Sequence, residues 1–351
     1  MSKKKPLSKG QLRRMRDNQQ KRLQRSSEKQ AENSQDGSLG PEQAGRVISR
    51  YGQHADIETS DGTVRRCNIR RNIDSLVTGD EVIVRMPVEH QTQAIGVIEA
   101  VHPRRSSLTR PDLYDGVKTI ASNIDQILIV SSVVPVFSSQ IIDRYIVAAE
   151  DTGIQPVIVL NKIDLMDKEL KELIDETLQV YKKLGYQVFQ LSSHTGEGVS
   201  KLKQLLADKV SVFVGQSGVG KSSLINALMP DAELVIGDVS QNSGLGQHTT
   251  TTAKLLHLKD SGDLIDSPGV REFALWHLPA ERVAWGFTEF RDILGTCKFR
   301  DCKHQNDPGC AIQEAFKAGY IDEERLENYH RIIASLDEQR HSRQFRAGSE
   351  D

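Results

Sequence analysis

Three scarcities bound this chain first. It has four cysteines and two tryptophans in 351 residues, aromatics are 5% of the total, and no long apolar run occurs anywhere. Without about eighteen consecutive apolar residues, no transmembrane helix is expected, and a soluble chain is. The basic N-terminal stretch has no apolar core, so a secretory signal is not expected either. Three of the four cysteines fall within fourteen residues, which excludes a distributed disulfide framework and fits a thiol-retaining, cytoplasmic protein. The shortage of aromatics leaves little for stacking nucleobases. Neither charge sign dominates, since the net charge is −2, but the balance is uneven. Residues 1–29 carry eleven Lys/Arg against two acidic residues, a net +9, leaving about −11 for the remainder. Such a tail is expected to be disordered when free and to suit RNA phosphates through counterion release. The alternative is a solubilising tail.

No internal repeat is evident, and the length allows two or three domains. The pattern divides the chain into a basic tail (1–44), a β-rich unit (45–112), an α/β unit (113–276) and a C-terminal unit with its tail (277–351). In the second, short strands are predicted over 46–50, 55–59, 64–69, 81–85 and 95–101. Asp61-Gly62 gives a hairpin signal, and Thr78-Gly79-Asp80 precedes the fourth strand. Five such strands suit an OB-type barrel, and Arg65, Arg66, Arg70 and Arg71 crowd one hairpin in a way suited to nucleic-acid backbones. From about residue 119 the pattern becomes βαβ: a strand over 124–130 and helices over 139–151 and 168–184. A last helix is predicted over 322–336.

Within the α/β unit, Gly215-Gln216-Ser217-Gly218-Val219-Gly220-Lys221-Ser222 matches G-x-x-x-x-G-K-[ST] at every fixed position. It lies between the β-branched run 210–214 and a helix over 222–228, where backbone N–H groups and a helix N-terminus converge on anions. The residues from Gly215 to Ser222, with Ser223 behind them, are the candidate phosphate-binding set. Lys221 should reach the β- and γ-phosphates, and the Ser222 hydroxyl should ligate Mg²⁺. Asp266 ends the strand 263–265 and begins Asp266-Ser267-Pro268-Gly269, so its carboxylate can hold Mg²⁺ while the Gly269 N–H faces the γ-phosphate.

Asn161-Lys162-Ile163-Asp164 ends the apolar run 157–160. Asp164 can accept two hydrogen bonds, from guanine N1–H and the N2 amine; adenine offers no such pair and would leave the carboxylate unpaired. Asn161 would orient the loop, and the Lys162 stem would pack over the base. Ser192 and Ser193, after a strand over 186–191, stand where a second base-contacting loop should be. The base reader precedes the phosphate loop, and Asp266 follows both. Ordinary GTPases run the other way, so the order itself signals a circular permutation.

Cys297, Cys302, His304 and Cys310 place three thiols and an imidazole within fourteen residues. This donor set suits one tetrahedral Zn²⁺ with no open position, a structural staple for a unit with too small a core to fold alone. Cys67, isolated, reads as an ordinary strand cysteine.

These motifs, with 242–251, 266–273 and 297–310, resemble the circularly permuted GTPases, and among them the ribosome small-subunit-dependent GTPase A family (RsgA, also called YjeQ). The resemblance runs from about residue 46 to 333. It implies a permuted P-loop GTPase domain with an OB-type barrel before it and a zinc-binding helical domain after it. It also implies a GTPase of late small-subunit maturation, stimulated by that subunit. The implied partners are the subunit and its rRNA, GTP and GDP, and other assembly factors; a monomer is expected. Val270 stands where many GTPases carry a glutamine that orients the attacking water, so unassisted hydrolysis should be slow. The resemblance offers His248 as the residue that orders the water instead; the alternative is a loop histidine that contacts RNA. One of Thr249 to Thr251 should give Mg²⁺ its second hydroxyl, with Thr250 assigned. A second reading is a GTP-sensing RNA-binding assembly factor with negligible turnover.

Overall fold

Alternating apolar residues in the first hundred positions close a barrel. In this computed structural model the described residues are 39–88, 95–112, 116–230, 253–259, 262–266, 278–305 and 307–347. The barrel comprises β1 (Leu39–Tyr51), β2 (His54–Thr59), β3 (Val64–Ile69), β4 (Glu81–Pro87) and β5 (Gly96–Val101). β1 pairs with both β2 and β4, β5 pairs with β4, and β3 and β5 run parallel, which closes the five strands in OB-like fashion. β1 reaches both partners because it is thirteen residues long and its register shifts between Val47 and Ser49. The strand starts at Leu39, inside the stretch assigned from composition to the tail. Inward-facing Val47, Ile57, Cys67, Leu76, Val82, Val84 and Ile98 fill the interior. A two-stranded sheet that the sequence pattern did not indicate, β6 (Ser107–Asp112) with β7 (Gly116–Ser122), follows.

The next sheet holds β8 (Gln126–Ser132), β9 (Gln155–Asn161), β10 (Gln187–Gln190), β11 (Val210–Val214), β12 (Lys254–Leu258) and β13 (Gly262–Asp266). Its order is β10-β9-β8-β11-β13-β12, parallel except for β12. Both faces are covered, so the strands read as continuous apolar runs. In β8, Ile127 and Ile129 enter one core while Leu128 and Val130 enter the other. Helices α1 (Ser139–Thr152), α2 (Lys168–Lys183), α3 (Val199–Leu206) and α4 (Lys221–Leu228) complete the layers. α2 shows why its sequence is helical: Asp167 caps it by accepting from the Leu170 N–H, with Glu169 in the first turn and Lys182 and Lys183 in the last. β12 also pairs with β1 at Ser49 and Lys254, which makes the barrel and the mostly parallel sheet one eleven-stranded surface.

α5 (Ala280–Gly286), a 3-10 segment (Thr288–Ile293), α6 (Ala311–Lys317) and α7 (Glu323–Ala347) form the C-terminal unit. α7 extends well beyond the 322–336 predicted. Phe287 stacks on Phe290 and Tyr329 meets both rings edge-on at the centre of the C-terminal unit, and the same core takes in Val147 and Ala148 of α1. α1 and α5 cross closely because position 286, in α5, is glycine: a Cβ there would stand 2.9 Å from Val147 Cγ1. No described helix is long and apolar enough to cross a membrane.

Candidate nucleotide site and metal centre

The C-terminal ends of β8, β9, β10, β11 and β13 lie at one edge of the parallel sheet, where open α/β sheets bind ligands. Asn161, Ser192, the phosphate loop and Asp266 all emerge there. Gly215, Gly218 and Gly220 take φ of 145°, 83° and 93°. At Gly215 a Cβ would stand 2.2 Å from the Val130 carbonyl oxygen, and at Gly220 2.4 Å from Asn161 Nδ2, so neither accepts a side chain. Gln216, Ser217 and Gly218 are exposed at the loop tip, and so are Ser222 and Ser223 at the start of α4; Val219 is buried and anchors the loop. Lys221 Nζ donates to the carbonyls of Gly215 and Gln216 at 2.6 and 2.5 Å, which holds the ammonium inside the loop.

Asn161 joins three loops. Fully buried, it donates through Nδ2 to the Val219 carbonyl at 3.0 Å, while its Oδ1 accepts from the Ser193 N–H at 3.0 Å. One side chain thus ties its own turn, the 215–222 loop and the Ser192–Ser193 loop together. Lys162 sits in the left-handed region at φ 64° and donates from Nζ to the Gly218 carbonyl at 2.6 Å and the Val134 carbonyl at 2.7 Å. Asp164 follows, exposed, in the 3-10 turn Ile163–Leu165. Ser192 is buried; its Oγ accepts from the Thr195 N–H at 3.1 Å, and its own N–H donates to Glu197 at 3.0 Å, closing the loop. Asp266 is half-buried at the end of β13, opposite Lys254 of β12. His248, Thr250 and Gly269 lie outside the described residues.

The sequence reading missed the segment after β8. There Ser132 Oγ donates to the Val134 carbonyl at 2.7 Å, shaping a turn whose Pro135 stands beside Gly218. Pro135 signals a turn before α1, but nothing in the sequence joins it to a phosphate loop eighty residues later.

The four cluster residues converge as their spacing predicts. Their ligand atoms lie within 4.8 Å of one another, and His304 Nδ1 is 3.5 Å from each of the three sulfurs. A tetrahedral Zn²⁺, with bonds of about 2.3 Å to sulfur and about 2.05 Å to nitrogen, separates S from N by about 3.5 Å, so the donor set fits a structural metal. Surrounding groups fix the ligands: the Ala311 N–H donates to Cys297 Sγ at 3.4 Å, and His330 Nε2 donates to the His304 carbonyl at 2.8 Å. In the barrel, Arg66 is paired with Asp56 and Arg70 with Glu99, so two of the four crowded arginines are already engaged, while Arg65 and Arg71 are exposed.

The RsgA GTPase family signature matches residues 101–276, half of the chain. The chain is 70% identical over 354 residues to the small ribosomal subunit biogenesis GTPase RsgA of Shewanella oneidensis, covering 100% of both. It is 56% identical over 336 residues to that of Photorhabdus laumondii, covering 95% of each. Its fold is similar to the crystal structure of YjeQ from Thermotoga maritima, with a TM-score of 0.68 and 33% identity over 84% of this chain and 98% of that one. It is also similar to YloQ, described as a circularly permuted GTPase, with a TM-score of 0.66 and 26% identity over 88% and 99%. The permuted motif order therefore agrees with a likeness that runs the length of the chain, and the chain belongs to the RsgA GTPase family.

Proposed function

We propose that this chain is a GTPase of small ribosomal subunit biogenesis, which binds the subunit and its rRNA and hydrolyses GTP under the subunit's stimulation. The observation that carries the reading is Asn161, whose carboxamide ties the base-reading loop, the phosphate loop and the Ser192–Ser193 loop into one guanine-nucleotide site. Asp164 selects guanine. Gly215 to Ser223 cradle the phosphates, with Lys221 turning from the loop carbonyls to the β- and γ-phosphates. Ser222, Thr250 and Asp266 would hold Mg²⁺, which supplies neutralisation of the charge that builds on the phosphate oxygens. The Gly269 N–H faces the γ-phosphate. His248 orients the water that attacks γ-phosphorus as the bond to the β–γ bridging oxygen breaks. Cys297, Cys302, His304 and Cys310 would hold one structural Zn²⁺. The barrel, the zinc unit and the basic tail grip rRNA, and the protein works in the cytoplasm as a monomer alongside other assembly factors.

Val270, which cannot hydrogen-bond water, favours a second reading: a GTP-sensing RNA binder with negligible turnover. Phosphate release from GTP and from ATP, with and without purified small subunits, decides between them. Multiple turnover with GTP alone, raised strongly by subunits, is the expected result. Equal rates with ATP would sink the base-reader assignment, and an absence of stimulation would leave the second reading.

A further inference from the structure

β12 and β13 form a hairpin that ends on Asp266, and the barrel grips it from outside. Buried Thr78 donates from Oγ1 to the Ala253 carbonyl at 2.7 Å, immediately before β12. Arg46 of β1 donates to Asp263 Oδ2 at 2.6 Å and to Glu58 Oε2 at 3.5 Å. His257 of β12 closes the ring, with Nδ1 2.6 Å from Asp263 and Nε2 2.8 Å from Glu58. The Thr78-Gly79-Asp80 turn also presses on β13, since a Cβ on Gly79 would stand 3.3 Å from Ile265 Cδ1, on the residue before Asp266. That turn is itself held by several hydrogen bonds. The Gly79 N–H donates to Val47, and the buried Asp80 carboxylate accepts from Arg104 Nε at 2.7 Å, Ser122 Oγ at 2.6 Å and the Val77 N–H at 2.8 Å.

None of these cross-unit contacts is needed to build either partner. The barrel closes through β1 and β4, and the hairpin has its own ladder. Their effect falls on Asp266: Lys254, on the same peptide as the Ala253 carbonyl, is its cross-strand partner. We propose that Thr78 is a positioning residue for GTP hydrolysis, setting from the barrel where Asp266 stands against the phosphate loop. The proposal rests on the reading of Asp266 as a Mg²⁺-side carboxylate.

The test uses the full chain with purified small subunits over GTP and Mg²⁺ series. Thr78→Val keeps the side-chain shape and loses the donor; Thr78→Ser keeps the donor. A lost hydrogen bond of this kind should lower the stimulated kcat roughly fivefold in Thr78→Val. The GTP KM should stay unchanged, the Mg²⁺ requirement should rise, and Thr78→Ser should match wild type. Asp266→Ala separates the two layers. Loss of hydrolysis upholds the site, whereas wild-type turnover overturns the site reading and the proposal with it. If Asp266→Ala is inactive, a wild-type kcat and Mg²⁺ requirement in Thr78→Val overturn the positioning role, and so does a deficit that Thr78→Ser fails to rescue.

Discussion

At the scale of single residues, the nucleotide site depends on a few atoms with no substitutes. Asp164→Asn replaces one acceptor oxygen with a donor nitrogen, which repels the guanine N2 amine and removes a charge-assisted pair. GTP binding should weaken roughly 10²-fold while ATP binding stays negligible, as isothermal titration would measure. Gly220→Ala acts differently. Its φ of 93° is unfavourable for any side chain, and the added methyl would displace Asn161 Nδ2. GTP and GDP affinity should fall together, since the damage is to the joint between loops rather than to the base contact. A variant that loses only GTP affinity would contradict that account.

At the scale of elements, α1 is shared property. Its Val147 and Ala148 belong to the C-terminal core, and its Asp143, fully buried, meets the guanidinium of α7's Arg325, which is 2% exposed. Tyr181 Oη and Asn328 Nδ2 each donate to Asp143 at 2.7 Å, and Glu289 takes the other edge of Arg325 at 2.7 and 2.9 Å. Burial pushes the Asp143 carboxyl above its ordinary value, with Arg325, Tyr181 and Asn328 pulling it back. Arg325→Met removes the main opposing charge and should destabilise the protein by about 3–5 kcal/mol, seen as a lower thermal midpoint. Adding Asp143→Asn should restore part of the loss. The sign with pH follows from linkage. A carboxyl whose folded pKa is raised binds its proton more tightly when folded, and the stability this gives is lost as pH rises from the unfolded pKa through the folded one. Arg325→Met should therefore recover stability relative to wild type as pH falls, whereas a midpoint that falls in parallel with wild type would refute the burial account.

At the scale of the whole molecule, two routes join the ligand-binding edge of the sheet to the C-terminal unit. One is covalent, since the chain after Asp266 runs through 267–277 into α5. The other passes through α1: Lys162 bonds Gly218 and Val134, Val134 belongs to the turn that leads into α1, and α1 carries the C-terminal core. Chelating the metal, or changing Cys310 to Ala, should loosen the 297–310 loop and cost subunit affinity. GTP binding should survive, because among the described residues no ligand of the cluster touches the 215–222 loop or the Asn161 turn. Metal content by mass spectrometry, with hydrogen exchange across 297–310 and the phosphate loop, checks both halves. Interdomain distances should differ between a GTP analogue and GDP on the subunit, and identical scattering profiles in the two states would rule out nucleotide-driven release.

Much of this was legible in the chain because the chemistry is local. A phosphate loop needs glycines and Lys221 at fixed spacing, a guanine reader needs Asn161 and Asp164 at a strand end, and a Cys3His cluster needs its donors within a few turns. Parallel strands buried on both faces declared themselves as apolar runs, and the motif order declared the permutation. The sequence alone thus determined the permuted GTPase fold, the barrel before it and the Cys3His cluster after it. Tertiary structure decided how those units are joined: the β1–β12 pairing, Thr78 on the Ala253 carbonyl, the His257 ring and the Asp143–Arg325 pair. Each links residues far apart in the chain through groups of ordinary type, a threonine, a histidine or an ion pair. No periodicity or spacing marks such a residue, because only the fold sets which distant partner it meets.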